Sequence, residues 1–483
     1  MRASKIFSII HFFLIILNGV YCEKKRELIF VYEHARHGAR GPSSSYNSIF
    51  KDGVDEYGVH WEYDGELSAI GKIQHYYLGV RNRIRYNGFI DFDNYNPMEI
   101  LIHATDFNRT HQSITSELIA MFKNSKEVTL TEDETKFKLI NQKYLETRNK
   151  SLYDNIDDEI KSLGNKVNYG SIPIFNIHKF PDKRIFLVDD CNKLNQYRDE
   201  KVGQKVEELY AEFEENYADK LEKLPLIKRE YFRDYDKMKS ITDHFVCDYD
   251  GQKDLSKVKE LDIDLDKFYN FSRRFYGSFI FDWFIDDYTA GFEETHLMQD
   301  LLGYMDSRIK HYPKTTYLAP KMVMDCGHDT TVGPIARFMD SAFGCGYHKF
   351  CDFACNVYFE LYRNIDENGN IEYTVDYYLD DELMFKDKEY GEFKAKMEEK
   401  FWNDTYAAEF CGEKEDVFEQ KKKGIERHST FLLGATIIST SMFIIFATSS
   451  LIFYRRFKKL EKRIKENPML DKELEGSEIP VLS

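Results

Sequence analysis

The sequence predicts an α/β fold whose core of alternating strands and helices is interrupted by a long, mostly helical insertion. Three observations carry this. Short runs rich in β-forming residues alternate with runs of helical periodicity in both the first and last thirds of the body. The stretch from 124 to 313 changes character, becoming richer in charge and aromatics with helical patterning. Three strand candidates also lead directly into clusters of Arg, His and Asp. In open α/β sheets, ligands sit beyond such strand ends.

The elements follow in order. Glu27–Tyr32 is a short strand candidate that runs into Arg36-His37-Gly38-Ala39-Arg40. Tyr63–Tyr86 reads as a helix, with Leu67, Ile70, Ile73, Tyr77 and Val80 at helical spacing. Arg81, Arg83 and Arg85 suit its C-terminal end, as a solvated or packing face. Pro97–His103 is a second strand, and Thr110–Phe122 a second helix. Within 124–313, Val202–Ala218 and Phe271–Tyr288 carry helical patterns. Lys321–Asp325 returns to strand character. Tyr358–Tyr362 and Glu372–Tyr378, separated by the turn residues Asn364–Asn370, read as an antiparallel pair. With 483 residues and 42% hydrophobic content, the chain can bury a large core.

The two ends read as targeting segments. Arg2 and Lys5 precede an apolar run from Ile6 to Leu17 and then Asn18-Gly19-Val20-Tyr21-Cys22, which makes 1–22 a secretory signal peptide. Phe431–Tyr454 contains no charged residue and as a helix would be about 36 Å long, enough to cross a bilayer. Basic residues from Arg455 onward mark the cytoplasmic side. The expectation is a single-pass type I protein: core from 23–123 and 314–411, cap from 124–313, juxtamembrane linker 412–430, span 431–454 and tail 455–483. Its body would be luminal or extracellular, in a lysosome-like compartment or at the cell surface.

The net charge is −16. Setting aside +2 in the leader and +2 in the tail leaves the body at −20, a surface that repels nucleic acid. An anionic ligand would need a concentrated local positive site. Eight cysteines lack CxxC metal spacing, which gives a zinc site little support, and disulfides are expected in a secreted body. Sequons begin at Asn108, Asn149, Asn270 and Asn403. Asn108 abuts Arg109, so Asn149, Asn270 and Asn403 are the expected acceptors.

The clusters fit one chemistry. A phosphoryl group carries charge on three oxygens, and guanidinium forks match those oxygens in pairs. Arg36, Arg40 and Arg109 can supply the forks. A neutral imidazole, His37, can act as nucleophile, and Asp329 can protonate the leaving group. His34 reads as structural, Glu33 and Asp325 as local electrostatics, and Cys326 as an inert buried thiol.

Arg36-His37-Gly38-Ala39-Arg40-Gly41-Pro42 resembles the RHGxRxP signature of the histidine acid phosphatases. His328-Asp329 resembles their HD pair, and Ala104–Thr110 their segment bearing a third arginine. Gly65–Gly71 through Arg85-Tyr86 resembles their first helix, and the similarity runs from about Glu27 to Cys411. The resemblance implies a three-layer α/β sandwich around a central mixed sheet, with the insertion as a helical cap. It implies His37 as phosphate acceptor and Asp329 as proton donor. Arg36, Arg40, Arg109 and His328 would hold the phosphoryl oxygens, and no metal or cofactor is required. It suggests disulfides Cys191–Cys411 and Cys247–Cys355, with Cys345–Cys351 closing a small loop. The expected partners are a phosphomonoester and the membrane, with a homodimer left open.

The implied activity is an acid phosphatase acting on phosphomonoesters. A phytase or inositol-polyphosphate phosphatase shares both motifs but needs further cations in its cap, which an acidic body does not favour. A non-catalytic surface protein on this scaffold would be expected to have lost part of the six-residue site, and all six are present.

Overall fold

The computed structural model describes residues 25–43, 53–123, 128–129, 166–167, 172–177, 192–281, 287–346, 351–403 and 458. The chain divides into two units, Met1–Ala407 and Ala408–Ser483, and of the second only Lys458 is described. The expected signal peptide, the linker, the span and the rest of the tail lie outside the described residues, as do Asn149, Cys191 and Cys411. Among the described residues no helix is long and apolar enough to cross a membrane.

A mixed seven-stranded sheet organises the first unit. Its strands are β1 (Lys25–Arg36), β2 (Ile100–Thr105), β3 (Phe175–Ile177), β4 (Met322–Gly327), β5 (Asn356–Ile365), β6 (Ile371–Leu379) and β7 (Glu382–Glu389). They lie in the order β3-β2-β4-β1-β5-β6-β7. The half β3-β2-β4-β1 is parallel, and β5-β6-β7 form an antiparallel meander. β1 is central and runs past Tyr32 to Arg36, further than its apolar run suggests. Ladders on both sides, to β4 and β5, supply the backbone bonds that let its polar end stay extended and buried. β3 comes from the insertion, and three residues are too short a run to read from sequence.

Helices α1 (Ala69–Arg85), α2 (Asn108–Met121), α3 (Asn192–Phe213), α4 (Tyr235–Asp250), α5 (Leu265–Phe281), α6 (Asp287–His311), α7 (Asp329–Phe343) and α8 (Tyr390–Glu398) complete the framework. Alternate strand residues face opposite layers. Val31, Met322, Met324 and Tyr358 join Ile114, Leu118 and Met121 of α2 on one side. Tyr32, Val323, Val357 and Phe359 join α6, α7 and α8 on the other, through Leu301, Met305, Ile335, Met339 and Phe393. Burying a side chain such as Phe393 contributes roughly 1.5–3 kcal/mol. A third core lies among α3, α4, α5 and a single 3-10 turn, where Phe213, Phe232, Phe245, Phe268, Phe271 and Phe275 pack together with Tyr57 and Trp61.

α1 shows how spacing and orientation separate. The helix begins at Ala69, where the Ser68 hydroxyl accepts from Gly71 N at 3.1 Å. Its buried face is Gly71, His75, Gly79 and Asn82, while Ile73, Tyr77 and Ile84 point to solvent, the last two at 66% and 73% exposure. Close backbone approach selects that face. A Cβ on Gly71 would lie 2.2 Å from Ala39 O, and one on Gly79 2.1 Å from Glu117 O. Gly71→Ala gains about 1 kcal/mol of helix propensity but forces a backbone clash costing about 3 kcal/mol. Net destabilisation is expected; a thermal melt showing Gly71→Ala as stable as wild type would contradict this packing.

Candidate active site

The register of the sheet assembles the site. Arg36 pairs with Gly327 across β1 and β4, and Ala104 pairs with Cys326 across β2 and β4. The ends of three adjacent parallel strands therefore deliver Arg36-His37, His328-Asp329 and, through the start of α2, Arg109. His37 N donates to Gly327 O at 3.0 Å and fixes the turn where β1 ends.

His37 is buried and its Nδ1–H donates to Gly38 O at 2.8 Å, so Nε2 carries the lone pair. Burial, then the charges of Arg109, Arg36, His328 and Arg40, hold its pKa well below the ordinary imidazole range. The ring is thus held toward its neutral form, with Nε2 unprotonated. His328 lies edge-on to it, with ring centroids 5.4 Å apart, and is depressed by burial, then by Arg109, Arg36 and Arg40. Its Nε2 lies 2.9 Å from Thr105 Oγ1, and Thr105 donates onward to Thr110 at 3.1 Å. Nε2 is therefore the protonated nitrogen, and Nδ1 accepts from Arg109 Nη2 at 3.4 Å. A direct bond from Nδ1 to a phosphoryl oxygen would need a second proton on this ring.

Arg36 is fully buried. Its Nη2 lies 2.6 Å from Asp329 Oδ2, and its Nη1 donates to Cys351 O at 2.6 Å. Asp329 opens α7, taking Thr330 N on Oδ1 at 2.9 Å and the Tyr276 hydroxyl on Oδ2 at 3.3 Å. Arg40 is engaged by Asp243 of α4 through two bonds of 3.0 and 3.1 Å. Phe353 faces the guanidinium of Arg36 at 4.3 Å and the ring of His37 at 5.9 Å. All six sequence-derived residues thus surround one locus.

Two of the expected disulfides are corrected. Cys351 pairs with Cys355, their Cα atoms 5.5 Å apart, and Cys247 and Cys345 are free. Neither Cys247–Cys355 nor Cys345–Cys351 forms. The four-residue separation of Cys351 and Cys355 folds the chain back on itself, and Cys247 faces Arg40 instead, its Sγ 3.3 Å from Nη1. The closed ring abuts the site, since Arg36 N donates to Cys355 O at 2.8 Å and Ala354 N to His37 O at 3.0 Å. Of the sequons, Asn108, Asn270 and Asn403 are all exposed, and Asn108 Nδ2 also donates to Glu66 at 2.9 Å.

Sequence reading missed Asp243, Phe353 and Tyr276, which come from three segments with no linear signature, and it gave Thr105 no role within Ala104–Thr110. It also missed the buried network behind β1. His75 Nε2 donates to Arg36 O at 2.9 Å, its Nδ1 lies 3.1 Å from Glu117, and Asn82 bridges Glu117 and Glu33 at 2.7 and 2.8 Å. Arg81 joins through Tyr358 and Glu33, so it is a packing residue. His34 bonds Thr331 of α7 at 2.9 Å, in keeping with a structural role.

This network gives stability a pH dependence. Burial raises Glu117 to about 7, and burial with the charge of Glu117 pushes Glu33 well up. Such a carboxyl stabilises fully below its unfolded value of 4.5, and that contribution is lost as pH rises through about 7. Burial lowers His34 and His75 to about 4, so their contribution has the opposite sign and grows only up to 6.5. Burial and neighbouring carboxyls also raise Asp55 and Asp248, which act in the same direction as Glu117. The melting temperature is therefore expected to fall between pH 6.5 and about pH 8. A flat or rising melting temperature there would exclude the raised carboxyls.

Comparison with known proteins agrees with this geometry. Residues 27–380 match the family model "Histidine phosphatase superfamily (branch 2)", and the chain belongs to that family. It is 34% identical over 110 residues to lysosomal acid phosphatase of Xenopus laevis, covering 23% of this chain and 24% of that one. It is 33% identical over 100 residues to bovine prostatic acid phosphatase, covering 20% and 24%. The matched segments thus span about a quarter of these curated relatives. Among solved structures, a phytase of Klebsiella sp ASR1 shares the fold with a TM-score of 0.50 at 13% identity, over 74% of this chain and 82% of that one.

Proposed function

We propose that the protein hydrolyses phosphate monoesters through a phosphohistidine on His37. The observation that carries this reading is the neutral, buried His37, its Nδ1–H tied to Gly38 O and its Nε2 lone pair set among Arg36, Arg40 and Arg109. Nε2 attacks phosphorus and the P–O ester bond breaks. The leaving oxygen takes both bond electrons and a proton from Asp329. Asp329 then accepts a proton from water, whose oxygen attacks phosphorus and breaks the P–N bond. Inorganic phosphate leaves and His37 returns neutral.

The proton that Asp329 gives in the first step is restored to it by water in the second. Its Oδ2 is held by Arg36 at 2.6 Å. A bound phosphoryl group competes for that fork, which frees the carboxyl to face the leaving oxygen. Arg36 thus both holds phosphate and relays its arrival to the proton donor.

The names of the curated relatives, lysosomal and prostatic acid phosphatase, support a simple phosphomonoester as substrate and a lysosome-like or secretory location. The leader at 1–22 and the apolar run at 431–454 support a luminal body anchored by one span. The test is rapid mixing with a radiolabelled aryl phosphate at about pH 5, followed by quenching in base, where phosphohistidine survives. Label on the protein chased by unlabelled substrate supports the mechanism, and hydrolysis without labelled protein excludes it. Parallel assays with phytate decide between the two substrate classes.

A further inference from the structure

The cap supplies one partner to the signature segment that the proposed chemistry does not itself use. Asp243, one turn before Cys247 on α4, meets the guanidinium of Arg40 end-on. Both side chains are buried, Arg40 at 4% and Asp243 at 1% exposure. Nη1 is shared further with Gly41 O at 3.0 Å and Cys247 Sγ at 3.3 Å. The Nε–H of Arg40 has no acceptor among the described residues.

This arrangement is costly unless it serves the site. A carboxylate beside Arg40 subtracts charge from a place that must attract an anion. For affinity by charge alone, a bare arginine would bind better. What Asp243 gives instead is orientation. An end-on fork fixes the plane of the guanidinium and leaves its Nε–H unspent. It also keeps a buried cation paired while the site is empty, so no reorganisation is needed when phosphate arrives. Burial opposes ionisation of Asp243, yet Arg40 holds its pKa below the ordinary carboxylate range.

The rest of α4 fixes that helix against the segment following the signature. His244 Nδ1 lies 2.7 Å from Glu56, the Trp61 indole donates to Asp248 at 2.8 Å, and the Tyr57 hydroxyl donates to Ile241 O at 2.8 Å. α4 is thereby seated on residues 55–61 by three bonds besides the Arg40 clamp.

We infer that Asp243 is a positioning residue of the phosphate site, through which the cap sets the orientation of Arg40 and hence the affinity for the phosphoryl group. This rests on the reading of Arg40 as a phosphate ligand. Because the cap carries the clamp, phosphate affinity and cap seating are linked: whatever unseats α4 loosens Arg40.

The test is a double-mutant cycle on the purified full-length protein, read by competitive inhibition with inorganic phosphate and by KM and kcat for an aryl phosphate. Asp243→Asn should raise Ki and KM roughly 10- to 100-fold, with a smaller change in kcat. Arg40→Ala should raise them at least as much. Arg40→Ala/Asp243→Asn should match Arg40→Ala within about twofold, because the clamp has nothing left to hold. A purely structural Asp243 would lower the folded fraction and leave the Ki of Asp243→Asn at the wild-type value. A Ki for Asp243→Asn within about twofold of wild type, or one that falls, overturns the inference. Should Asp243→Asn fail to fold, Asp243→Glu decides: it keeps Arg40 paired but displaces the carboxylate by one methylene, so Ki should rise at least about 5-fold, and an unchanged Ki overturns the inference. If Arg40→Ala leaves Ki unchanged, the failure lies with the reading of Arg40.

Discussion

Replacing His37 with alanine is expected to lower kcat by on the order of 10^4-fold or more and to abolish labelled phosphoenzyme, while leaving the fold intact. The separation of these effects follows from the bonds His37 makes. Its structural bonds are backbone ones, from His37 N to Gly327 O and from Ala354 N to His37 O, and alanine keeps both. The imidazole contributes the Nδ1–H bond to the adjacent Gly38 O, worth about 1 kcal/mol, and ring contacts with His328 and Phe353. The melting temperature should therefore move little. An alanine variant retaining more than a tenth of wild-type kcat would end the nucleophile assignment.

The second large effect is at Asp329. Asp329→Asn keeps one oxygen, enough for Thr330 N or for Arg36 but not for both, and cannot donate a carboxylic proton. For an alkyl phosphate, whose leaving oxygen needs that proton, kcat should fall about 10^2- to 10^4-fold. For an activated aryl phosphate the first step needs little help, so the phosphoenzyme should still form and then hydrolyse slowly. Comparing kcat and phosphoenzyme build-up for the two substrates checks this. Equal losses with both leaving groups and no accumulation would remove Asp329 from the proton-donor role and leave it only as the partner of Arg36.

Much of this site could be read from the sequence because its chemistry is concentrated at strand ends. Arg36, His37 and Arg40 lie in one heptad, and His328-Asp329 opens a helix directly after an apolar strand. Strand β4 and the β5–β6 pair were legible for the same reason: compact apolar runs with turn residues between them. The inward face of α1 was not legible. There, backbone contact at Gly71 and Gly79 outweighs side-chain hydrophobicity, so Ile73 and Tyr77 of the apolar stripe face outward. Asp243 was not legible either, because a carboxylate inside a charged helical insertion looks like surface until the fold places it on Arg40. The cysteine pairing failed for a related reason. Connectivity depends on which Cα atoms come within reach, and only the folded chain shows Cys351 beside Cys355 and Cys247 beside Arg40.

The small ring closed by Cys351 and Cys355 has a consequence for where the molecule can mature. Three of its carbonyl and amide groups grip Arg36 and His37, and Phe353 within it faces the Arg36 guanidinium. Both cysteines also lie in the core with Val357 and Phe359, so the ring ties the pocket to the sheet. Under reducing conditions the two sulfurs would separate and Arg36 would lose a covalently closed brace. If the proposed activity holds, the form that carries it is the oxidised one, and reduction of this ring is expected to lower it.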